Sequence, residues 1–191
     1  MAFVPDCEHD IFISYAHIDN DPDPGIDKGW VTTLVGILDT RLPKIVGSRA
    51  VSIWRDQQLS RHDAITPQIV ETLRQTAILV VILSPSYLAS EWCQRERNAF
   101  LNAVKERRDA GSRVFLVEFM PVPVEERPRE LRKLLGYHFW AQDQPGRAPR
   151  TLGPLHLPVT TPSITTRSMT SAMLWPGNSS GYRKRQVTRR H

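Results

Sequence analysis

The sequence predicts an α/β fold with a parallel sheet. Short β-forming apolar runs alternate with stretches of helical apolar periodicity from about residue 9 to residue 140. The first of these, around Ile11, Phe12 and Ile13, is a continuous apolar run, as expected of a strand covered on both faces. From about Gln144 that order stops. Pro145, Pro149, Pro154, Pro158, Pro162 and Pro176 mix with Ser, Thr, Gly and Arg, and periodicity is lost. The expected organisation is a folded domain over residues 1–143 and a disordered, basic tail or linker over 144–191.

The elements follow in order. His9 to Tyr15, with Ile11, Phe12 and Ile13, reads as the first strand. Pro22, Pro24 and Gly25 break the loop behind it. Trp30, Leu34, Leu38 and Leu42 recur at helical spacing and predict a helix over about 28–42, ended by Pro43 and Gly47. Ala50 to Trp54 is a short second strand, and Gln57 to Asp63 a polar loop. Ile65, Ile69, Val70 and Leu73 mark a helix over 64–75, with Pro67 in its first turn, where a missing N–H is tolerated. Thr76 to Leu83 is the most apolar strand, and Ser84-Pro85-Ser86 turns out of it. Ser90 caps the next helix, which runs to about Arg108 and stops by Gly111. Arg113 to Phe119 is a fourth strand, Pro121 to Pro128 a loop, Arg129 to Leu135 a short helix, and Tyr137 to Trp140 a fifth strand.

Composition removes several functions. Two cysteines among 191 residues make no disulfide framework and suit a reducing cytosol. The first ten residues carry Asp6, Glu8 and Asp10 and no basic leader, and the longest wholly apolar run, Ala77 to Leu83, is too short to span a bilayer. The expectation is a cytoplasmic protein with no membrane partner. The net charge of +5 belongs to the tail: residues 144–191 hold eight basic residues and no acid. Residues 1–143 hold 17 basic residues against 20 acidic ones, a net of −3, so the charge gives no reason to expect a nucleic-acid partner for the folded part. There is no G-x-G-x-x-G, no P-loop, no G-x-S-x-G elbow and no metal-ligand spacing among the histidines. No metal and no bound cofactor are expected.

Open parallel sheets bind ligands beyond the carboxyl ends of their strands, where strand order reverses. Ser14-Tyr15-Ala16-His17, Arg55-Asp56 and Ser84 should gather there. So should one face of the following helix, where Trp92 and Glu96 stand one turn apart. An indole beside a carboxylate suits a flat cationic ring carried on a sugar. From pattern alone, a solvated Glu96 and a packing role for Trp92 remain open alternatives. Cys93 reads as a small buried residue.

At this point the residues carry a resemblance. Asp10-Ile11-Phe12-Ile13-Ser14-Tyr15-Ala16-His17 resembles the opening motif of the TIR (Toll/interleukin-1 receptor) domain. Trp54-Arg55-Asp56-Gln57-Gln58-Leu59 resembles its second strand and the loop after it. Ile82 to Leu88, followed by Ser90-Glu91-Trp92-Cys93-Gln94-Arg95-Glu96, resembles the third strand and helix of bacterial members. Tyr137-His138-Phe139-Trp140 stands where a late aromatic motif falls. The match covers about residues 8–143. One departure is Arg61-His62, where the family commonly has a Pro-Gly step; losing the glycine removes easy access to φ > 0.

The resemblance implies a flavodoxin-like, five-stranded parallel sheet flanked by helices. It implies an NAD+ nucleosidase: NAD+ is a substrate rather than a cofactor, and the nicotinamide–ribose bond is cleaved. Glu96 falls on the family's catalytic glutamate, and Ser14, Tyr15, Ala16, Arg55, Asp56, Ser84 and Trp92 fall on substrate-binding positions. The products are nicotinamide and ADP-ribose or a cyclic ADP-ribose. Implied partners are other TIR domains, by self-association, and an upstream sensor, in signalling or anti-phage defence. The competing expectation is a non-catalytic TIR–TIR adaptor module. Pyridinium chemistry fits one acid: nicotinamide leaves as a neutral molecule and needs no general acid, so a single carboxylate can stabilise the oxocarbenium-like ribose or attack it.

Overall fold

The computed structural model describes residues 7–47, 51–55, 67–106, 113–144 and 146–153. All belong to one compact unit, residues 1–160; a second unit, 161–191, lies outside the described residues, as does most of the predicted tail.

Five parallel strands stand in the order β2-β1-β3-β4-β5: β1 His9–Ser14, β2 Ile53–Arg55, β3 Thr76–Leu83, β4 Val114–Glu118 and β5 Gly136–His138. The helices are α1 Trp30–Val46, α2 Pro67–Arg74, α3 Pro85–Ala89, α4 Glu91–Glu106 and α5 Arg129–Arg132, and a 3-10 turn spans His17–Asn20. This is the predicted flavodoxin-like layout. The chain steps from β1 to β2 on one side, then crosses back to β3 on the other side of β1. Strand order therefore reverses between β1 and β3, and their carboxyl ends frame the natural ligand crevice.

Side-chain alternation assigns the two faces. Phe12, Leu79, Val81, Leu83 and Leu116 join one buried cluster with Ile69 and Leu73 of α2, Tyr87 of α3, and Phe100 and Val104 of α4. Ile11, Ile13, Val80, Ile82 and Val117 alternate to the other face and are also buried. There α1 supplies Val31, Leu34, Val35, Leu38 and Leu42. Both faces are covered, which is why these strands read as unbroken apolar runs.

Three elements differ from the sequence expectation. Helix α1 runs through Pro43 to Val46, because a proline near the last turn forfeits one N–H bond without breaking the rest. The stop is Gly47, whose φ of +78° is the left-handed cap that glycine adopts without strain. Ser84-Pro85-Ser86 opens a short helix rather than a turn. The Ser84 hydroxyl accepts the Tyr87 N–H at 2.9 Å, and Pro85 occupies the first helical position. At the last strand, Tyr137 to Trp140 divides. Gly136–His138 joins the sheet, whereas Trp140–Ala141 (β6) pairs antiparallel with Arg150–Thr151 (β7). Gly136 is needed where it stands, because a Cβ there would overlap the carboxylate of Glu118, itself buried and bonded to Arg127 Nη1 at 2.8 Å.

The β6–β7 hairpin moves the domain boundary beyond residue 143. Leu152, only 4 % exposed, donates its N–H to the Phe139 carbonyl at 2.6 Å and accepts the Trp30 indole N–H at 2.7 Å. Trp30 also meets Phe119 and Phe139 edge-on, at 5.0 and 5.2 Å. A segment placed by composition in the tail thus closes the α1 face. Leu152→Ala should cost about 2–4 kcal/mol. Trp30→Phe, which keeps ring area but leaves the Leu152 carbonyl without its donor, should cost about 1 kcal/mol. Urea unfolding of each variant measures both.

Candidate functional site

The last residue of β1, Ser14, shares its parity with Phe12 and so faces the layer of α2 and α4. It is buried, and its hydroxyl donates to Glu96 Oε2 at 2.5 Å. Helix α4 sets the other side. Cys93, Glu96, Arg97, Phe100, Ala103 and Val104 form its buried stripe, and Trp92 sits one turn before Glu96. The Trp92 indole Nε1 donates to Glu96 Oε1 at 3.0 Å. Glu96 is therefore 2 % exposed, with each carboxylate oxygen accepting a bond, as a buried acid requires. Its neighbour Arg97 bonds Glu130 of α5 through Nε at 2.9 Å and fixes the rotation of α4.

Tyr87 of α3 stands behind this pair. Its hydroxyl lies 3.4 Å from Ser14 Oγ and donates to the Cys93 carbonyl at 3.4 Å. Burial pushes the phenol well above its ordinary range, so it remains a neutral hydrogen-bonding group. Burial also pushes the Cys93 thiol up to about 12, with the negative charges of Glu96 and Asp19 adding to the rise and the Ser90 hydrogen bond opposing it. A thiol in that state is neither nucleophile nor metal ligand.

A second acid stands at the same end of the sheet. Asp19, on the 3-10 turn after β1, accepts the Ser84 hydroxyl at Oδ2, 2.5 Å away. Burial raises its carboxyl from 3.8 to about 6, against the hydrogen bonds of Ser84 and Ser86, while nearby Asp21 adds to the rise.

Among the sequence-predicted residues, the structure brings Ser14, Trp92 and Glu96 into direct contact. Ser84 closes the neighbouring strand and holds Asp19. Tyr15 and Ala16 are buried beside them; Ala16 packs in the cluster of Phe12 and Tyr87, and the Tyr15 ring lies 5.5 Å from His17. The Trp92 indole turns its N–H edge to Glu96 and packs on the core cluster, an engagement that the expected ring-stacking role does not include. Arg55 is a correction. Its register partner on β1 is Ile13, so alternation sends it to the α1 face, where Nη1 bonds Thr32 Oγ1 at 2.9 Å. Asp56, Arg61 and His62 lie outside the described residues. Sequence reasoning missed Asp19 and Tyr87. The signals were an acid in the loop leaving β1, and the Ser-Pro pair that makes 84–89 a capped helix. Among the described residues, no group of three His, Cys, Asp or Glu could hold a metal ion, and no helix is long and apolar enough to cross a membrane.

A family model described as TIR domain matches residues 11–152. The disease resistance protein RUN1 of Vitis rotundifolia is 28% identical over 85 residues, covering 44% of this chain and 6% of that protein. RPP5 of Arabidopsis thaliana is 26% identical over 128 residues, covering 67% of this chain and 7% of that protein. The chain thus spans less than a tenth of the length of these curated relatives. Among solved structures, the TIR domain of the Toll-related receptor TRR-2 from Hydra magnipapillata has a TM-score of 0.46 at 14% identity, covering 69% of this chain and 84% of its own. The TIR domains of the activated Roq1 resistosome, which directly recognizes the pathogen effector XopQ, have a TM-score of 0.42 at 23% identity, covering 62% and 61%.

The raised Asp19 carboxyl has a consequence for stability. A folded-state value of about 6 above an ordinary 3.8 means that the native state holds this proton more tightly than the unfolded chain does. That contribution is fully present below 3.8 and is lost as pH rises through 6, leaving a buried charge above that point. Asp19→Asn should therefore stabilise the protein by about 1–2 kcal/mol near neutral pH, a figure discounted for partial exposure. The gain should vanish towards about pH 4. Urea unfolding of both proteins across that range checks the sign.

Proposed function

The chain belongs to the TIR domain family, and from that premise we propose that it cleaves NAD+ at the nicotinamide–ribose bond, with Glu96 as the catalytic carboxylate. The observation that supports this most is the seating of Glu96. A buried carboxylate is held by two neutral donors, Ser14 Oγ and Trp92 Nε1, at the carboxyl ends of the two strands between which sheet order reverses. Burying an acid there costs stability that an apolar residue would not. Such a cost is often retained where the group acts.

In this reading the pyridinium of NAD+ supplies its own leaving-group charge. The C1′–N bond breaks, its electron pair goes to nicotinamide, and positive charge develops on the ribose. A carboxylate fixed in a low-dielectric site stabilises that charge without reorganising. Both oxygens of Glu96 are engaged by donors, which favours this electrostatic role over covalent attack. Ser14 orients the carboxylate from the sheet, and Trp92 orients it from its own helix. Ser84, Tyr15 and Ala16 line the same end. Products are nicotinamide and ADP-ribose or its cyclised form. We place the activity in immune signalling and expect self-association of TIR domains to switch it on.

The test is chromatography of NAD+ incubated with concentrated or surface-clustered protein. Wild type should release nicotinamide. Glu96→Gln should reduce release by about 10²–10³-fold while unfolding as cooperatively as wild type. Equal turnover by the variant removes Glu96 from the chemistry. Self-association with no turnover even when clustered assigns the domain to adaptor function instead.

A further inference from the structure

Resting on the NAD+ reading, we propose that Asp19 is a second acid of the site and the general base for the water that completes hydrolysis. Departure of nicotinamide needs no proton, but the arriving water must lose one. Its oxygen bonds C1′, one proton passes to the Asp19 carboxylate, and Asp19 returns it to solvent. Glu96 is poorly suited to this step, because it lies 2 % exposed with donors already on both oxygens. Asp19 is half-buried, so it can reach solvent, and Ser84 fixes its orientation.

The placement follows from the strands. Ser14 ends β1 and holds Glu96; Ser84 follows β3 and holds Asp19; β1 and β3 are hydrogen-bonded neighbours, with Ser14 level with Val81. Each acid is thus carried by a serine at one of the two strand ends that frame the crevice. Both also act on one side chain of α4, the Cys93 thiol, whose proton both hold on more tightly. The groups acting on Asp19 are Ser84 and Ser86 from the start of α3 and Asp21 from its own loop. None of these is a cation, and a base poised near 6 accepts a proton at neutral pH. His17 shares the turn and is the rival base; its ring packs by Tyr15.

A neutral pyridine separates this step from the rest of the reaction. It attacks C1′ without a proton to lose, so base exchange needs Glu96 but no general base, whereas hydrolysis needs both. The full chain, concentrated or clustered, is given NAD+ with excess 3-acetylpyridine, and ADP-ribose and the exchanged dinucleotide are quantified across pH. Wild-type hydrolysis should rise as a group near 6 ionises. Asp19→Asn should lose at least about tenfold of hydrolysis together with that pH limb, yet keep exchange within about threefold. Hydrolysis at the wild-type rate in Asp19→Asn overturns the proposal. So does a parallel fall of hydrolysis and exchange, which marks Asp19 as merely structural, and so does the same split in His17→Gln. Absence of nicotinamide release by wild type overturns the NAD+ reading itself, and this inference with it.

Discussion

The Ser14–Glu96 bond is the contact on which the site depends. It joins the end of a central strand to the middle of a helix and meets one oxygen of a carboxylate that has almost no access to water. An acid left unpaired there would cost several kcal/mol or take up a proton. Much of the neighbourhood follows from meeting that need. The β1 residue must have the parity of Phe12 in order to face α4, and it must be small, because Tyr87 packs behind it. The helix must present 92 and 96 on one side, which four-residue spacing does.

Two acids at one end of a sheet in different surroundings are a means of dividing labour. Glu96 is enclosed and doubly bonded, so its geometry is fixed. Asp19 is half-buried and bonded by the Ser84 hydroxyl, so its charge is costly and its proton is held more tightly than in a solvated acid. Ser84 links the second acid to the fold. Its single proton goes to Asp19, and its oxygen accepts the Tyr87 N–H as the cap of α3. The cap of one short helix and the orientation of one acid are the same atom.

Elements with strong periodicity were legible from the chain: β3 falls on Thr76–Leu83 as read, and Ser14, Trp92 and Glu96 do meet. What was not legible has identifiable causes. Pro43 reads as a breaker, but a proline close to a glycine stop loses too little to end a helix. Arg55 ends a strand and so reads as a crevice residue. One residue of register decides its face, and register is a property of the pairing rather than of β2 alone. The segment around Leu152 has tail composition, and its place comes from β6, the Phe139 carbonyl and the Trp30 indole, the last more than a hundred residues away. Asp19 escaped notice because a single acid in a loop carries no periodic signal.

The bonds around Glu96 also differ in how readily they yield. On the sheet side, Ser14 is buried in a strand paired on both edges. Along α4, Arg97 is buried and tied to α5, so the helix cannot turn without breaking a charged pair as well as the serine bond. Trp92 is different. It is only part-buried, and it stands in the first turn of α4, where fewer backbone bonds hold the chain. Glu96 is thus oriented from two directions, by a serine fixed in the sheet and by an indole in the first turn of its own helix.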